Sequence, residues 1–313
     1  MKSILALALC LASLGVTATS DASGTAGLTP TEEHRKNQLQ ERLCAVKELN
    51  CAYVIALFTD PRLEIYYPPE PERQKATPLQ KERERNPFLT MRFGLLTAES
   101  LERCRGFLQA HALAFDAAYR IYGVPREIIC GILRIETNFG MPTKLSPNPV
   151  GTTPAINRLV TLYVRWPPRE RSVGHFARRQ EFALHELKDL LVAGRRFGWD
   201  LFQIPGSPTG AIGLAQFEPS SLNVAVDGND DGKIDLFDPA DAILSVAHYL
   251  ETRGWDSEPQ HRQRAIYAYY GGNYDADRDK YYMRAVLKYA DEVGEYLKDH
   301  PMEPEAASTP EPF

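Results

Sequence analysis

The chain has 313 residues, of which 43% are apolar and 25% charged, and its formal net charge is −5. This length and composition are typical of globular proteins that bury a substantial core in one large domain or two small ones. No block of basic residues stands out, so the charge pattern argues against nucleic acid as a partner.

The N-terminal segment has the pattern of a cleaved secretory signal, which we predict over residues 1–20. Lys2 precedes an apolar run over residues 4–16, which is shorter than the roughly 20 residues that span a bilayer as a helix. Cys10 follows a leucine where a lipoprotein signal requires a small residue. We therefore expect a periplasmic or exported protein with no lipid anchor and no transmembrane segment in the mature chain.

Four cysteines remain after the predicted signal, and an even number in an exported chain permits two disulfides. Cys44 and Cys51 are close in sequence, and Cys104 and Cys130 lie on adjacent predicted helices. These positions favour the pairs Cys44–Cys51 and Cys104–Cys130, with four buried free thiols as the alternative. No pair has the CxxC spacing of a zinc or redox site.

Helical periodicity dominates the chain, which opens with a predicted leader and helix over residues 21–51. Thr97 is expected to cap a long helix whose apolar side includes Leu113 and which Gly123 ends. Later helices are predicted over residues 180–196, 239–250 and 279–298. The other predicted segments are a β-like run within 58–67, a proline-rich connector over 68–87 and a disordered tail over 299–313.

Glu136 lies near the end of an apolar helix that begins at Pro125. On a helix it stands one turn above Ile132 and two turns above Ile128, so its carboxyl group faces apolar neighbours. Burial there disfavours the charged form and raises the pKa, which suits a general acid near neutral pH. The alternative is a glutamate at the mouth of a core helix, satisfied by an arginine or by backbone N–H groups.

The segment 206–221 carries three glycines within eight residues, which lets the backbone come close to a packed helix or to a ligand. Gln216 is a polar residue inside an apolar run over 212–217. Further along, Tyr267, Tyr269 and Tyr270 fit either core packing or an aromatic platform for sugar rings.

Residues 227–238 match the spacing of an EF-hand-like calcium loop, with Gly232 where the chain must turn sharply. Oxygen side chains stand at positions 1, 3, 5, 9 and 12, and position 7 supplies a backbone carbonyl. The last position is an aspartate and not the usual glutamate, so we expect a structural ion of lower affinity. An acidic turn without an ion is the alternative. The candidate ligands are Asp227, Asn229, Asp231, Lys233, Asp235 and Asp238.

Taken together and in order, these motifs resemble those of the lytic murein transglycosylases of the B type. The resemblance extends from about Tyr53 to about Glu295. The segments that carry it are Tyr122–Pro125, Ile135–Gly140, Gly210–Ser221, Val226–Gly232, Leu236–Ile243, Ser245–Leu250 and Gly254–Trp255.

The resemblance implies a mainly α (α+β) fold, with a lysozyme-like catalytic region over residues 52–298 and a small β element near the calcium loop. It implies cleavage of peptidoglycan glycan strands between N-acetylmuramic acid and N-acetylglucosamine, leaving 1,6-anhydro ends. Glu136 would be the single acid/base, and other cell-wall enzymes are further candidate partners. The implied substrate contacts are Gln216, Tyr269, Ser220 and Asn138, and the implied cofactor is a structural Ca²⁺ in the loop 227–238.

The chain departs from the family pattern at Pro208–Thr209, Glu218 and Tyr270, which touch the expected lining of the cleft. A glycosidase normally uses two carboxylates, and Asp200, Glu218 and Asp235 are the candidates for a second. Two alternatives therefore accompany the transglycosylase: a hydrolytic muramidase on the same fold, and an exported peptidoglycan- or calcium-binding module without turnover.

Overall fold

A computed structural model describes residues 27–67, 86–90, 93–143, 146–165, 173–271 and 280–302. The predicted signal, nearly all of the proline-rich connector and most of the predicted tail lie outside these ranges. Within them, no helix combines the length and the apolar character needed to cross a membrane.

The described residues form a mainly helical fold, as predicted, with one very small sheet. Strands β1 (Thr153–Pro154) and β2 (Pro205–Gly206) pair antiparallel. The helices are α1 (Pro30–Cys44), α2 (Cys51–Thr59), α3 (Ala98–Ala110), α4 (Ala112–Tyr122), α5 (Arg126–Thr137), α6 (Ala155–Val164), α7 (Val173–Phe197), α8 (Pro239–Thr252), α9 (Pro259–Tyr270) and α10 (Tyr281–Asp299), with 3-10 turns at Pro87–Leu89 and Pro219–Val224.

Helix α5 is the centre of the core and packs against α3, α4, α8 and α10. Ile129, Ile132 and Leu133 are fully buried on it. Gly131 faces α10 so closely that an added Cβ would lie 3.1 Å from the Val286 carbonyl oxygen. The helix that carries Glu136 is therefore held on several sides, which fixes the position of its last turn.

The β element borders the glycine-rich segment, and this segment contacts the predicted calcium loop. Ile212 forms isolated bridges with Gly206 and Phe217. The Leu214 N–H donates to the Leu236 carbonyl oxygen at 2.9 Å, which connects this segment to the loop 227–238.

Two of the predicted local structures are wrong. The long helix from Thr97 breaks at His111, whose φ of −125° ends α3, and the new register of α4 leaves Leu113 71% exposed. The β-like run within 58–67 is absent, because Phe58 is buried within α2 and the residues after Thr59 form a turn and irregular backbone.

The disulfide prediction is half right. Cys44 and Cys51 are bonded between the end of α1 and the start of α2. Cys104 and Cys130 are buried free thiols, and burial together with a hydrogen bond to Cys104 raises the pKa of Cys130. The second predicted bridge is therefore not present in this structure.

Candidate functional site

Glu136 lies on the last turn of α5, where the helix meets the surface. The residues that precede it, Ile132 to Ile135, are buried, and its own side chain is partly exposed. Its Oε1 atom accepts a hydrogen bond of 2.6 Å from the Tyr282 hydroxyl on α10. The carboxyl group thus sits at the edge of the core, held by a single tyrosine across the α5–α10 contact.

The surroundings of Glu136 favour its protonated form. Burial raises its pKa from an ordinary 4.5 to about 7, the hydrogen bond from Tyr282 lowers it, and the nearby Glu218 carboxylate raises it. The last turn of a helix carries partial negative charge, which also disfavours a carboxylate. The side chain therefore holds a proton near neutral pH and can give it up, as a general acid must.

Arg134 is the cationic residue nearest to Glu136 in sequence, and its hydrogen bonds go to other residues. Arg134 is buried, and its guanidinium donates from Nε to the Ser100 hydroxyl at 2.7 Å and from Nη2 to the Gly94 carbonyl oxygen at 3.0 Å. Within the described ranges, Glu136 accepts its hydrogen bond from a tyrosine hydroxyl and not from an arginine. The alternative in which an arginine neutralises Glu136 therefore finds no support.

Tyr269 joins the glycine-rich segment to the site. Its hydroxyl donates to the Ala215 carbonyl oxygen at 2.7 Å, and its ring lies parallel to that of Tyr282 at a centroid distance of 6.4 Å. Burial and the neighbouring Glu136 raise the pKa of Tyr269 well above its ordinary value. The Tyr270 ring also stacks on Tyr282, at a centroid distance of 5.0 Å, so Tyr269 and Tyr270 of the predicted cluster adjoin the catalytic candidate.

The glycine-rich segment packs directly on the end of α5. The Thr137 hydroxyl donates to the Leu214 carbonyl oxygen at 2.6 Å. Gly213 has φ of +79°, and a Cβ there would collide with the Leu236 carbonyl, so this position requires glycine. Gln216 is partly exposed with φ of +51°, and its amide nitrogen donates to the Gly213 carbonyl oxygen at 2.9 Å.

The structure assigns different surroundings to the other two predicted sugar contacts. Asn138 is only 4% exposed; its amide accepts from Arg103 at 2.7 Å and donates to the Met141 carbonyl at 2.9 Å. The amide of Asn138 thus bonds within the protein, and its sugar contact stays a prediction. Ser220 is partly exposed and donates its backbone N–H to Glu186 Oε2 at 2.8 Å, and its sugar contact stays a prediction.

The three candidate second carboxylates differ in position. Asp200 pairs with Arg62 at 2.7 Å on the surface, and Asp235 lies in the predicted calcium loop, where its Oδ1 accepts from the Phe237 N–H at 2.9 Å. Glu218 is the one whose charge reaches Glu136 and raises its pKa.

The predicted calcium loop folds through its own hydrogen bonds. Asp227 accepts from the backbone N–H groups of Asp231 at 3.2 Å and Gly232 at 2.7 Å. Asp238, at the last position of the loop, caps α8 by accepting from the Ala240 N–H at 2.8 Å. Two of the predicted ligands, Asp227 and Asp238, thus also accept hydrogen bonds from the backbone of this segment.

A buried carboxylate outside the predicted ligand set ties the two arms of this loop together. Asp241 is 1% exposed and accepts from the Gly228 N–H at 2.7 Å and the Asp235 N–H at 2.6 Å. Among the residues that the structure describes, no three His, Cys, Asp or Glu side chains are grouped so that they could hold a metal ion. The ligand set from Asp227 to Asp238 stays a prediction.

Sequence reasoning missed Tyr282, which lies 146 residues from Glu136. No local motif marks it, because its role arises only from the packing of α10 on α5. It also missed Asp241. The available signal was an acidic residue in the first turn of a helix, three residues after the cap Asp238.

Several known proteins are similar to this chain. Residues 34–304 match the model of the family described as "Transglycosylase SLT domain". Over 169 residues the chain is 36% identical to the membrane-bound lytic murein transglycosylase B of Escherichia coli (strain K12), an alignment that covers 54% of this chain and 42% of that protein. The chain thus spans less than half the length of this curated relative.

Solved structures share the fold. SltB1 from Pseudomonas aeruginosa is 22% identical with a TM-score of 0.63, and the alignment covers 84% of this chain and 99% of that one. SltB3 from the same organism, in complex with NAG-anhNAM-pentapeptide, is 20% identical with a TM-score of 0.63, covering 85% and 80%. The Escherichia coli lytic transglycosylase SLT35 in complex with calcium is 22% identical with a TM-score of 0.55, covering 85% and 93%.

Proposed function

This chain belongs to the transglycosylase SLT domain family, and we propose that it is a peptidoglycan lytic transglycosylase that cleaves the bond between N-acetylmuramic acid and N-acetylglucosamine. The observation that carries the proposal is the carboxyl group of Glu136, whose pKa burial raises to about 7 beside the tyrosines of α9 and α10. A protonated acid at this pH can give its proton to a glycosidic oxygen.

In the proposed reaction, the Glu136 carboxyl protonates the glycosidic oxygen, and the bond between that oxygen and C1 of the muramic acid breaks. The resulting carboxylate takes the proton of the C6 hydroxyl, and O6 forms a new bond to C1 that closes a 1,6-anhydro ring. The N-acetyl group of the sugar can assist at C1. The proton lost by Glu136 is regained from the substrate, so water is not consumed and one carboxylate suffices.

Neighbouring residues have supporting roles in this proposal. The Tyr282 hydroxyl orients the carboxyl group and stabilises its ionised form once the proton has left. Tyr269 holds the glycine-rich segment against the site through Ala215, and Gln216 and Ser220 on that segment would contact the sugar. In this proposal these residues position the Glu136 carboxyl group and the sugar, and Glu136 alone transfers the proton.

Product analysis on purified peptidoglycan sacculi tests the proposal. The wild-type protein should release fragments with 1,6-anhydro ends, as read by mass spectrometry, and Glu136→Gln should release none while remaining folded. Asp200→Asn is the matched control, because this carboxylate pairs with Arg62 on the surface and its removal should leave turnover intact. Lysis by Glu136→Gln would contradict the assignment, and absence of turnover by the wild type would favour a binding module.

A second candidate function is hydrolysis of the same bond. It is favoured by Glu218, whose carboxylate is near enough to raise the pKa of Glu136. A second carboxylate can activate water or stabilise the sugar cation. A muramidase would release fragments with reducing ends, and the Glu218→Gln variant would release none.

We further propose that the chain is exported through the segment 1–20 and binds Ca²⁺ in the loop 227–238. The calcium proposal is supported by the spacing of the loop and by the calcium complex of a structurally similar protein. The ion would stabilise the fold and take no part in the chemistry. Calcium added after chelation should raise the Tm of the wild type but not of Asp227→Asn, whereas a wild-type Tm that does not change with calcium would contradict the proposal.

A further inference from the structure

The turn that follows Glu136 has an unusual backbone. Asn138 and Phe139 have φ of +54° and +60°, and Gly140 follows at +76°. Residues other than glycine rarely adopt this conformation, and they persist in it where surrounding contacts hold them. Because Glu136 is only two residues before Asn138, the contacts that hold this turn also determine where the last turn of α5 lies.

Helix α3 supplies those contacts from two side chains. The Phe107 ring stacks on the buried Phe139 ring at a centroid distance of 4.8 Å. One turn earlier on α3, the Arg103 Nη1 atom donates to the Asn138 Oδ1 atom at 2.7 Å. Phe139 is thus held by apolar packing, and Asn138 is held by a charged hydrogen bond.

The two partners of Arg103 differ in their exposure to water. Its Nη2 atom pairs at 2.7 Å with Glu99, whose side chain is 82% exposed, and such surface ion pairs contribute little. Its bond to Asn138 reaches a residue that is 4% exposed. Charge-assisted hydrogen bonds in shielded surroundings are the stronger kind, so the bond to Asn138 is the principal contact of Arg103.

We propose that Arg103 is a positioning residue of the active site. Through Asn138 it holds the turn after Glu136 and thereby keeps the carboxyl group within hydrogen-bonding distance of the Tyr282 hydroxyl. This inference rests on the role of Glu136 proposed above. A positioning contact changes turnover, whereas a uniform contact with bound sugar changes KM, so kinetics can separate this role from the predicted sugar contact of Asn138.

Two variants remove the contact from opposite sides. Arg103→Met keeps the apolar stem of the side chain and loses its donors, and Asn138→Gly keeps the left-handed backbone and loses the amide. In both we expect kcat on purified sacculi to fall by roughly tenfold to a hundredfold, the range that misplacement of a reacting group produces. We expect apparent KM to change by less than about twofold. The alkaline limb of the rate should move to higher pH, because a looser bond from Tyr282 raises the pKa of Glu136.

Two controls come from the same helix. Arg105→Met removes an arginine of similar exposure, 24% against 22%, that pairs with Glu102 on the surface. Glu99→Gln removes the outer partner of Arg103 and leaves the bond to Asn138. Both variants should retain the wild-type kcat, and the alkaline limb of their rate should lie at the wild-type pH.

The outcomes separate this inference from the proposed function. If Arg103→Met and Asn138→Gly turn over like Arg105→Met, or if only their KM rises, the positioning role is wrong while an inactive Glu136→Gln still supports the catalytic assignment. If Glu136→Gln retains turnover, both the assignment and the positioning role are overturned. Melting temperatures, measured on the same samples, show whether a fall in kcat occurs in folded protein.

Discussion

Replacing Glu136 by glutamine removes a carboxylate whose ionised form the fold disfavours. The substitution should therefore raise the free energy of unfolding, which can be measured without substrate. The pKa of Glu136 rises from an ordinary 4.5 to about 7. One pKa unit corresponds to about 1.4 kcal/mol, so ionised Glu136 lowers the free energy of unfolding by about 3 kcal/mol above pH 7. Below pH 4.5 the group is protonated in both the folded and the unfolded chain, and this penalty disappears.

Urea denaturation of the wild type and Glu136→Gln, from about pH 4 to about pH 9, measures this difference directly. The glutamine is neutral throughout and keeps an oxygen that can accept from Tyr282. Its stability advantage should grow between pH 4.5 and about 7, where the folded wild type binds more protons than the unfolded chain, and then level off. Glu127→Gln removes a carboxylate that pairs with Arg126 on the same helix and should show no such gain. A difference that stays flat with pH would refute the reasoning.

Three further predictions use single substitutions. Tyr282→Phe removes the hydrogen bond that lowers the pKa of Glu136, so the alkaline limb of activity should move to higher pH and kcat/KM should fall; an unchanged limb would contradict it. Glu218→Gln removes the charge that raises the same pKa, so the limb should move to lower pH in a matched pH–rate series. Gly213→Ala places a Cβ against the Leu236 carbonyl at positive φ and should destabilise the fold by more than about 1 kcal/mol, as thermal denaturation would show.

Local chemistry in the sequence predicted much of the fold and the central residue of the site. Thr97 caps α3, Gly123 ends α4 in a left-handed conformation, and α8 begins after Asp238, as expected from capping and turn preferences. Residues three and four apart share a face of a helix, so the apolar residues before Glu136 predicted that its helix is buried. These features depend on neighbours within a turn or two, so they can be predicted from sequence spacing.

Local reasoning could not predict features that depend on the groups the fold brings together. Leu113 fits an unbroken helix, but the break at His111 turns it to solvent. The bond from Arg103 to the amide of Asn138, in a turn of positive φ, also could not be predicted from the residues next to Asn138. Which role a polar side chain takes depends on the groups that the fold places beside it.

The sequence by itself determined the mainly helical class and the family, and it singled out Glu136 as the candidate acid, because each rests on short-range periodicity or on the order of motifs. Only the tertiary structure decided how that acid is tuned and held. Tyr282 is 146 residues from Glu136, and Arg103 lies on another helix, so no local pattern connects them. The pKa of Glu136 depends on desolvation and on charges that meet through space, and these exist only when α3, α5 and α10 are packed together.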